Sequence, residues 1–368
     1  MDNVSELLRN VESILENPNI DQKKVLSYYD DKLDYEIFLS EEALQVIKGP
    51  CSLAAKQWVV SFVSTHIIKS QTRNAINFLG CLTLYMTLLK TSLNNLPAST
   101  NLAKEILVGL TLTLNFCMNF IFRVDFKLWN NYNLLIQMII KLVESQSDTL
   151  RIHAIKFIEQ VILCFSFPDP TPRGTLPIAT GEFTLAQIPS TFSYVQFEQM
   201  GNQFLEQMIK SLKKIAEKTN SEPLHAHFSV QIVLLNSLYR LFRKRTQKFT
   251  AIVLTTFFEV VKIANASYSA PTSARSLFIS LRHILISIMK ANKWDKYGLE
   301  ILDALTLLDA KEIAEHLYKK LRLVEFREIT RKRSLPPAVL PSSKRPKPSP
   351  YFFLFCSFSS LFFSIVQN

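Results

Sequence analysis

The sequence predicts an all-α protein: an α-solenoid of HEAT-like helical hairpins with one long Pro-rich loop. Three observations carry that prediction. Only 7 of the 368 residues are glycine, about 2% against a usual ~7%, too few for the turns of a strand-and-hairpin architecture. The chain is 48% hydrophobic, enough apolar surface to offset the ordering entropy that keeps polar chains unfolded. Apolar residues recur at intervals of three and four through two long blocks, the period of amphipathic helices.

Helices are expected in order at about 3–16, 21–30, 35–48, 52–69, 72–93, 99–122, 127–145 and 147–165. The last shows the pattern well: Ile155, Ile158, Val161 and Ile162 fall on one side, His153, Lys156 and Gln160 on the other. Prolines 168, 170, 172, 177 and 189 then break the pattern. It resumes at about 199–219, 224–245, 247–266, 272–291, 295–308 and 310–325. Pro50, Pro97, Pro223 and Pro271 each sit at an expected boundary, where a proline before or within the first turn is tolerated. The organisation read from this is a first helical block at 1–165, a Pro-rich loop at 166–198 and a second block at 199–328. A basic Pro-rich tail (329–350) and an apolar tail (351–368) follow. Long helices on short connectors point to hairpins of about 40–47 residues, the HEAT/armadillo class, stacked in a right-handed array of six or seven pairs. No 34-residue recurrence favours TPR units, and a compact helical bundle is the competing architecture.

The scarcity of glycine also argues against a Rossmann or P-loop enzyme, whose phosphate cradles need closely spaced glycines. Cys51, Cys81, Cys117, Cys164 and Cys356 lie at least thirty residues apart. That spacing offers no local zinc site and suits a reducing compartment. His225 and His227 sit two apart on an expected helix, about 200° round the axis, and cannot share a metal there. Asp30, Asp31 and Asp34 read as a solvated turn. No nucleophile elbow, zincin, P-loop or EF-hand pattern is present. The reading is a chain without catalytic residues, metal or cofactor.

The net charge of +11 is concentrated. Residues 319–350 alone carry +8 of it, so the body lacks the general basic balance of a large nucleic-acid surface. Within the body, Leu238–Phe249 gathers Arg240, Arg243, Lys244, Arg245 and Lys248. This cluster reads as a charged turn at a helix C-terminus, with a contact to acidic protein or RNA phosphate as the functional alternative. In the tail, Arg331, Lys332 and Arg333 are separated from Lys344, Arg345 and Lys347 by ten residues rich in proline and serine. Proline keeps such an arm extended, and two spaced basic clusters fit a bipartite nuclear-import signal read by an import receptor.

Two segments have membrane-like composition. Ile106–Phe122 is uncharged, yet its Thr111, Thr113, Asn115 and Asn119 suit a buried solenoid helix better than a span. Tyr351–Val366 follows the basic tail as a tail anchor would, but it is short, serine-interrupted and low in complexity. It reads as a terminus unrelated to the domain, such as an artefact of the gene model. A tail-anchored helical-repeat adaptor at a membrane is the alternative function.

The stretch TLRIHAIKFIEQVIL (149–163), the Pro-rich loop and FTLAQIPSTFSYVQFEQMGNQFLEQMIKSL (183–212) together resemble the N-terminal domain of the symplekin family. The likeness continues through SARSLFISLRHILISIM (273–289) to RKR and KRPKP. Symplekin and its yeast counterpart are scaffolds of pre-mRNA cleavage and polyadenylation. The resemblance implies HEAT-like repeats, a nuclear location, no catalysis, and other cleavage and polyadenylation factor subunits as partners. It further implies that the domain binds and stimulates a phosphatase acting on the C-terminal domain of RNA polymerase II. On that basis Lys156, in HAIKF, and neighbouring Asn119 are the expected partner-binding residues. No direct sequence-specific nucleic-acid contact is expected. Family members continue well beyond the basic segment, whereas here an apolar tail follows it.

Overall fold

The computed structural model describes residues 2–17, 21–49, 51–70, 75–170, 182–218, 228–267, 271–291 and 297–319. Among these residues there is no strand. Met1–Glu315 forms one compact unit, which holds the first helical block and the second as far as Glu315; of the second unit, His316–Asn368, the described residues 316–319 are helical. The helices are α1 (Asp2–Glu16), α2 (Gln22–Lys32), α3 (Glu41–Lys48), α4 (Leu53–Ser70), α5 (Ala75–Asn94), α6 (Thr100–Arg123) and α7 (Trp129–Lys141). Then come α8 (Asp148–Cys164), α9 (Tyr194–Lys218), α10 (Phe228–Lys244), α11 (Thr246–Ser267), α12 (Pro271–Lys290) and α13 (Gly298–Leu307). Residues 311–319 are also helical.

Among the described residues the periodic segments of the sequence are thus helices, with boundaries that differ where local chemistry intervenes. The span 35–48 is two elements, because Asp34 caps a 3-10 turn (Glu36 N–H to Oδ1, 3.0 Å) and Ser40 caps α3 (Ala43 N–H to Oγ, 3.1 Å). Each side-chain oxygen satisfies an N–H that the first turn leaves unpaired. Asp34 therefore serves as a cap, in line with its reading as a turn residue. The side chains of Asp30 and Asp31, and both His225 and His227, lie outside what the structure describes. The helix expected from 199 begins at Tyr194, because Phe197 buries its ring and extends the apolar face upstream.

Helices α4, α6, α8, α10 and α12 pack side by side as one layer, with α9, α11 and α13 in a second layer behind the later members. This is an α-solenoid, two sheets of helices in which each pair rests on its neighbours. The layer is close-packed at α4–α6. Gly109 of α6 stands where a Cβ would come within 2.3 Å of the Ser64 hydroxyl. That hydroxyl bonds the Val60 carbonyl and the Tyr85 hydroxyl, both at 2.6 Å, in a buried site. α6 and the segment Thr246–Ala266 of α11 are long and apolar enough to cross a membrane. α6 is instead packed between α4 and α8, with Ile106, Leu110, Leu114 and Ile121 in the core. The Ile106–Phe122 segment is a buried layer helix.

Candidate functional site

Helix α8 is apolar around most of its circumference. Leu150, Ala154, Ile155, Phe157, Ile158, Val161 and Ile162 are buried, leaving a narrow stripe of Ile152, His153, Lys156 and Gln160 at the surface. Into the apolar side the sequence inserts one carboxylate. Glu159 is fully buried, a position where an unpaired charge would be very costly. It is not unpaired. Lys156 Nζ donates to its Oε2 at 2.9 Å, and Arg240 Nη1 of α10 lies 2.9 Å from its Oε1. Lys156 also donates to the Ser237 hydroxyl of α10 at 3.2 Å. With the Gln160 amide oriented so that its oxygen faces α10, that oxygen accepts from Arg240 at 3.0 Å. The outcome is a polar seam between α8 and α10, with Lys156 and Arg240 still 38% and 47% exposed at the surface.

Lys156, on the side of α8 opposite Ile155 and Ile158, therefore also has a structural part within the chain. It is half of the compensation of a buried charge. Asn119 is elsewhere. It donates to the Asn115 carbonyl at 2.9 Å on α6. α6 and α8 run in parallel register, with Asn115 beside Cys164 (3.6 Å), so Asn119 lies about twelve residues, or ~18 Å, further along the layer than Lys156. The structure does not bring the two together. Arg331, Lys332, Arg333, Lys344, Arg345 and Lys347, and the apolar segment 351–366, lie outside the described residues.

The basic cluster at 238–249 is the turn between α10 and α11, and its cations are engaged within the chain. Arg245, buried, donates to the Ser166 hydroxyl (3.0 Å) and the Leu163 carbonyl (3.4 Å). Lys244 pairs with Glu182 and Lys248 with Glu198, each at 2.7 Å. Asp169 caps α11, accepting from the N–H groups of Thr246 (2.5 Å) and Gln247 (3.3 Å). Arg243 lies over the Tyr239 ring. This turn fastens both ends of the Pro-rich segment. Beyond Glu182 the chain returns under cover: the Phe183 N–H donates to Asn115 Oδ1 at 3.2 Å, and its ring stacks on Phe122 with centroids 5.3 Å apart. Phe122 also meets Phe126, Trp129, Phe192 and Phe197. Aromatic pairs of this kind stabilise by about 0.5–1.5 kcal/mol beyond area burial.

Burial raises the thiols of Cys81, Cys117 and Cys164, the last two to about 12, and that of Cys51 to about 11. All four are free cysteines that stay protonated at neutral pH and pack as small hydrophobes. His153 is held below its ordinary value by burial and by neighbouring Lys104. Among the described residues no group of His, Cys, Asp and Glu is arranged to hold a metal ion.

Glu159 was not a candidate from sequence, and Arg240 was named only within the basic cluster at 238–249, not as a partner of α8. The available signal was a lone carboxylate on the apolar side of a helix, which requires a cation from a neighbouring element; the sequence does not say which.

A model of the family described as Symplekin/PTA1 N-terminal matches residues 99–328. That span contains both sides of the α8–α10 seam, the clamped loop ends and the helices that carry them. A search of curated proteins finds no match to the chain.

Proposed function

Because the chain belongs to the symplekin/Pta1 family, a family of mRNA 3′-end processing scaffolds, we propose that it is a non-catalytic nuclear scaffold that binds and stimulates an RNA polymerase II C-terminal-domain phosphatase. The observation that supports this reading is the α8–α10 seam. A buried Glu159 holds two partly exposed cations in fixed positions on the helical layer. Side chains held in this way lose little entropy when a partner engages them, which is what a protein-binding surface requires. Lys156 is the partner-binding residue in this proposal, and Asn119 a separate, more distant contact. The other cleavage and polyadenylation factor subunits are further partners. The basic clusters 331–333 and 344–347 address the protein to the nuclear import receptor.

Calorimetric titration of the phosphatase into the purified chain tests the reading, together with phosphatase turnover on a phosphorylated C-terminal-domain peptide. Saturable binding with raised turnover is the expected result. No heat of binding and unaltered turnover would overturn it.

A further inference from the structure

The sequence of α11 is as apolar as that of a membrane span, yet the fold does not enclose it. The residues 249–258, between Lys248 and Glu259, carry no charge. Phe249, Val253, Leu254 and Phe257 fill the core. Ala251, Ile252 and Thr255 face outward, with Ile252 38% exposed. Only 44% of the most apolar stretch of α11 is buried, against 61% of that of α6, which lies between two neighbours. The outward side of a surface helix is ordinarily polar or charged.

These outward residues form the floor of a groove of about 890 Å³ between α9 and α11, to which Ile209 also contributes. Lys213 of α9 reaches across it to Glu259 of α11, and its charge is compensated there. The rim on α9 carries four further charges in the order Glu206, Lys210, Lys214, Glu217, all exposed. Among the described residues none of these four makes an ion pair, although Glu206 and Lys210 have the four-residue spacing that favours one. The rim is about 17 Å long, three turns of helix. It presents two open cations with an open carboxylate at either end.

We infer that this groove receives an amphipathic helix of another protein. The apolar side of that helix rests on Ile252, its middle turn brings carboxylates to Lys210 and Lys214, and basic residues towards its ends meet Glu206 and Glu217. Recognition of a helix in a groove uses apolar anchors three and four residues apart, which three turns accommodate. The order of the rim charges decides the occupant. A second copy of the chain does not match: a two-fold contact centred here runs α9 antiparallel to itself, so lysine meets lysine and carboxylate meets carboxylate. An anionic membrane or a nucleic acid calls for cations unbroken by carboxylates, and Glu206 and Glu217 interrupt them. The groove belongs to the second layer, apart from the α8–α10 seam, so the inference stands independently of the phosphatase reading.

Fluorescence anisotropy of the full chain with two labelled probes decides it. Both are stapled helical peptides of about 14 residues with a leucine stripe. One has glutamates in its middle turn and lysines at its ends; the other has these exchanged. The first should bind saturably and at least about tenfold more tightly than the second. Lys210→Glu combined with Lys214→Glu should abolish that preference. Ile252→Glu should weaken the first peptide at least about tenfold, while Ile252→Leu binds as wild type. Ile252 is exposed enough for Ile252→Glu to keep the fold, which an unaltered urea midpoint checks; should the midpoint shift, the lysine variant decides alone. Equal binding of the two peptides overturns the stated partner. No binding of either, or binding that Ile252→Glu leaves unaltered, overturns the site. Without peptide binding, Ile252-dependent attachment to vesicles of phosphatidylserine and phosphatidylcholine would assign the face to a membrane, and an Ile252-dependent dimer in sedimentation would assign it to a second copy. Either result overturns the proposal.

Discussion

Glu159 has no exposed surface and two cationic partners, and the consequences differ by which group is removed. Lys156→Met leaves Arg240 on the carboxylate, so the loss is that of one charge-assisted hydrogen bond, about 1.5–3 kcal/mol. Lys156→Met with Arg240→Met leaves a buried unpaired charge and should cost about 3–5 kcal/mol more than apolar repacking returns. Urea unfolding of the two single variants and the double variant checks this, and strict additivity would mean that Glu159 finds another partner. His153 makes a pH-dependent contribution of known sign. Its folded-state value is depressed by burial and Lys104, so the unfolded chain takes up a proton first as pH falls. Stability should be fully present above the ordinary histidine range near ~6.5, and be lost as pH drops through the folded value. His153→Gln should flatten urea midpoints measured between about pH 5 and 7. At this scale the sequence was partly legible. The stripe of His153, Lys156 and Gln160 follows from helical period alone, and the structure has all three partly exposed. The partners of Lys156 could not be read, because Ser237 and Arg240 are about eighty residues away and no local pattern encodes that distance.

The helices were legible element by element, because each buries a stripe whose period is visible without knowing its neighbours. Their edges were less so: caps at Asp34 and Ser40 divide one expected helix, and Phe197 draws α9 upstream. The Pro-rich segment was legible only as an interruption. Its anchorage depends on Asp169, Glu182 and Glu198 meeting a turn that comes some fifty to eighty residues later. The basic turn is accordingly a fastening, and its charge run alone does not reveal that use. Asp169→Ala should cost about 1 kcal/mol, the usual loss for an N-cap. Phe183→Ala, which empties a buried site against Phe122, should cost about 3–5 kcal/mol. Thermal unfolding followed by circular dichroism reads both, and similar losses for the two variants would contradict the view that the return segment belongs to the core.

Taken as a whole molecule, the chain is a helical scaffold whose chemistry lies in surfaces. Family membership accounts for the role in mRNA 3′-end processing, and the layer of α6, α8 and α10 supplies the face on which our account places the phosphatase. The import proposal belongs to this scale as well. Replacing Arg331, Lys332, Arg333, Lys344, Arg345 and Lys347 with alanine should leave a reporter fusion in the cytoplasm, and continued nuclear accumulation would assign import to another region. The central claim is tested most directly by hydrogen–deuterium exchange of the full chain with and without the phosphatase. The account predicts slowed exchange confined to α6, α8 and α10 around Asn119, Lys156 and Arg240; protection confined to the second layer, at α9 and α11, or no protection at all, would contradict it.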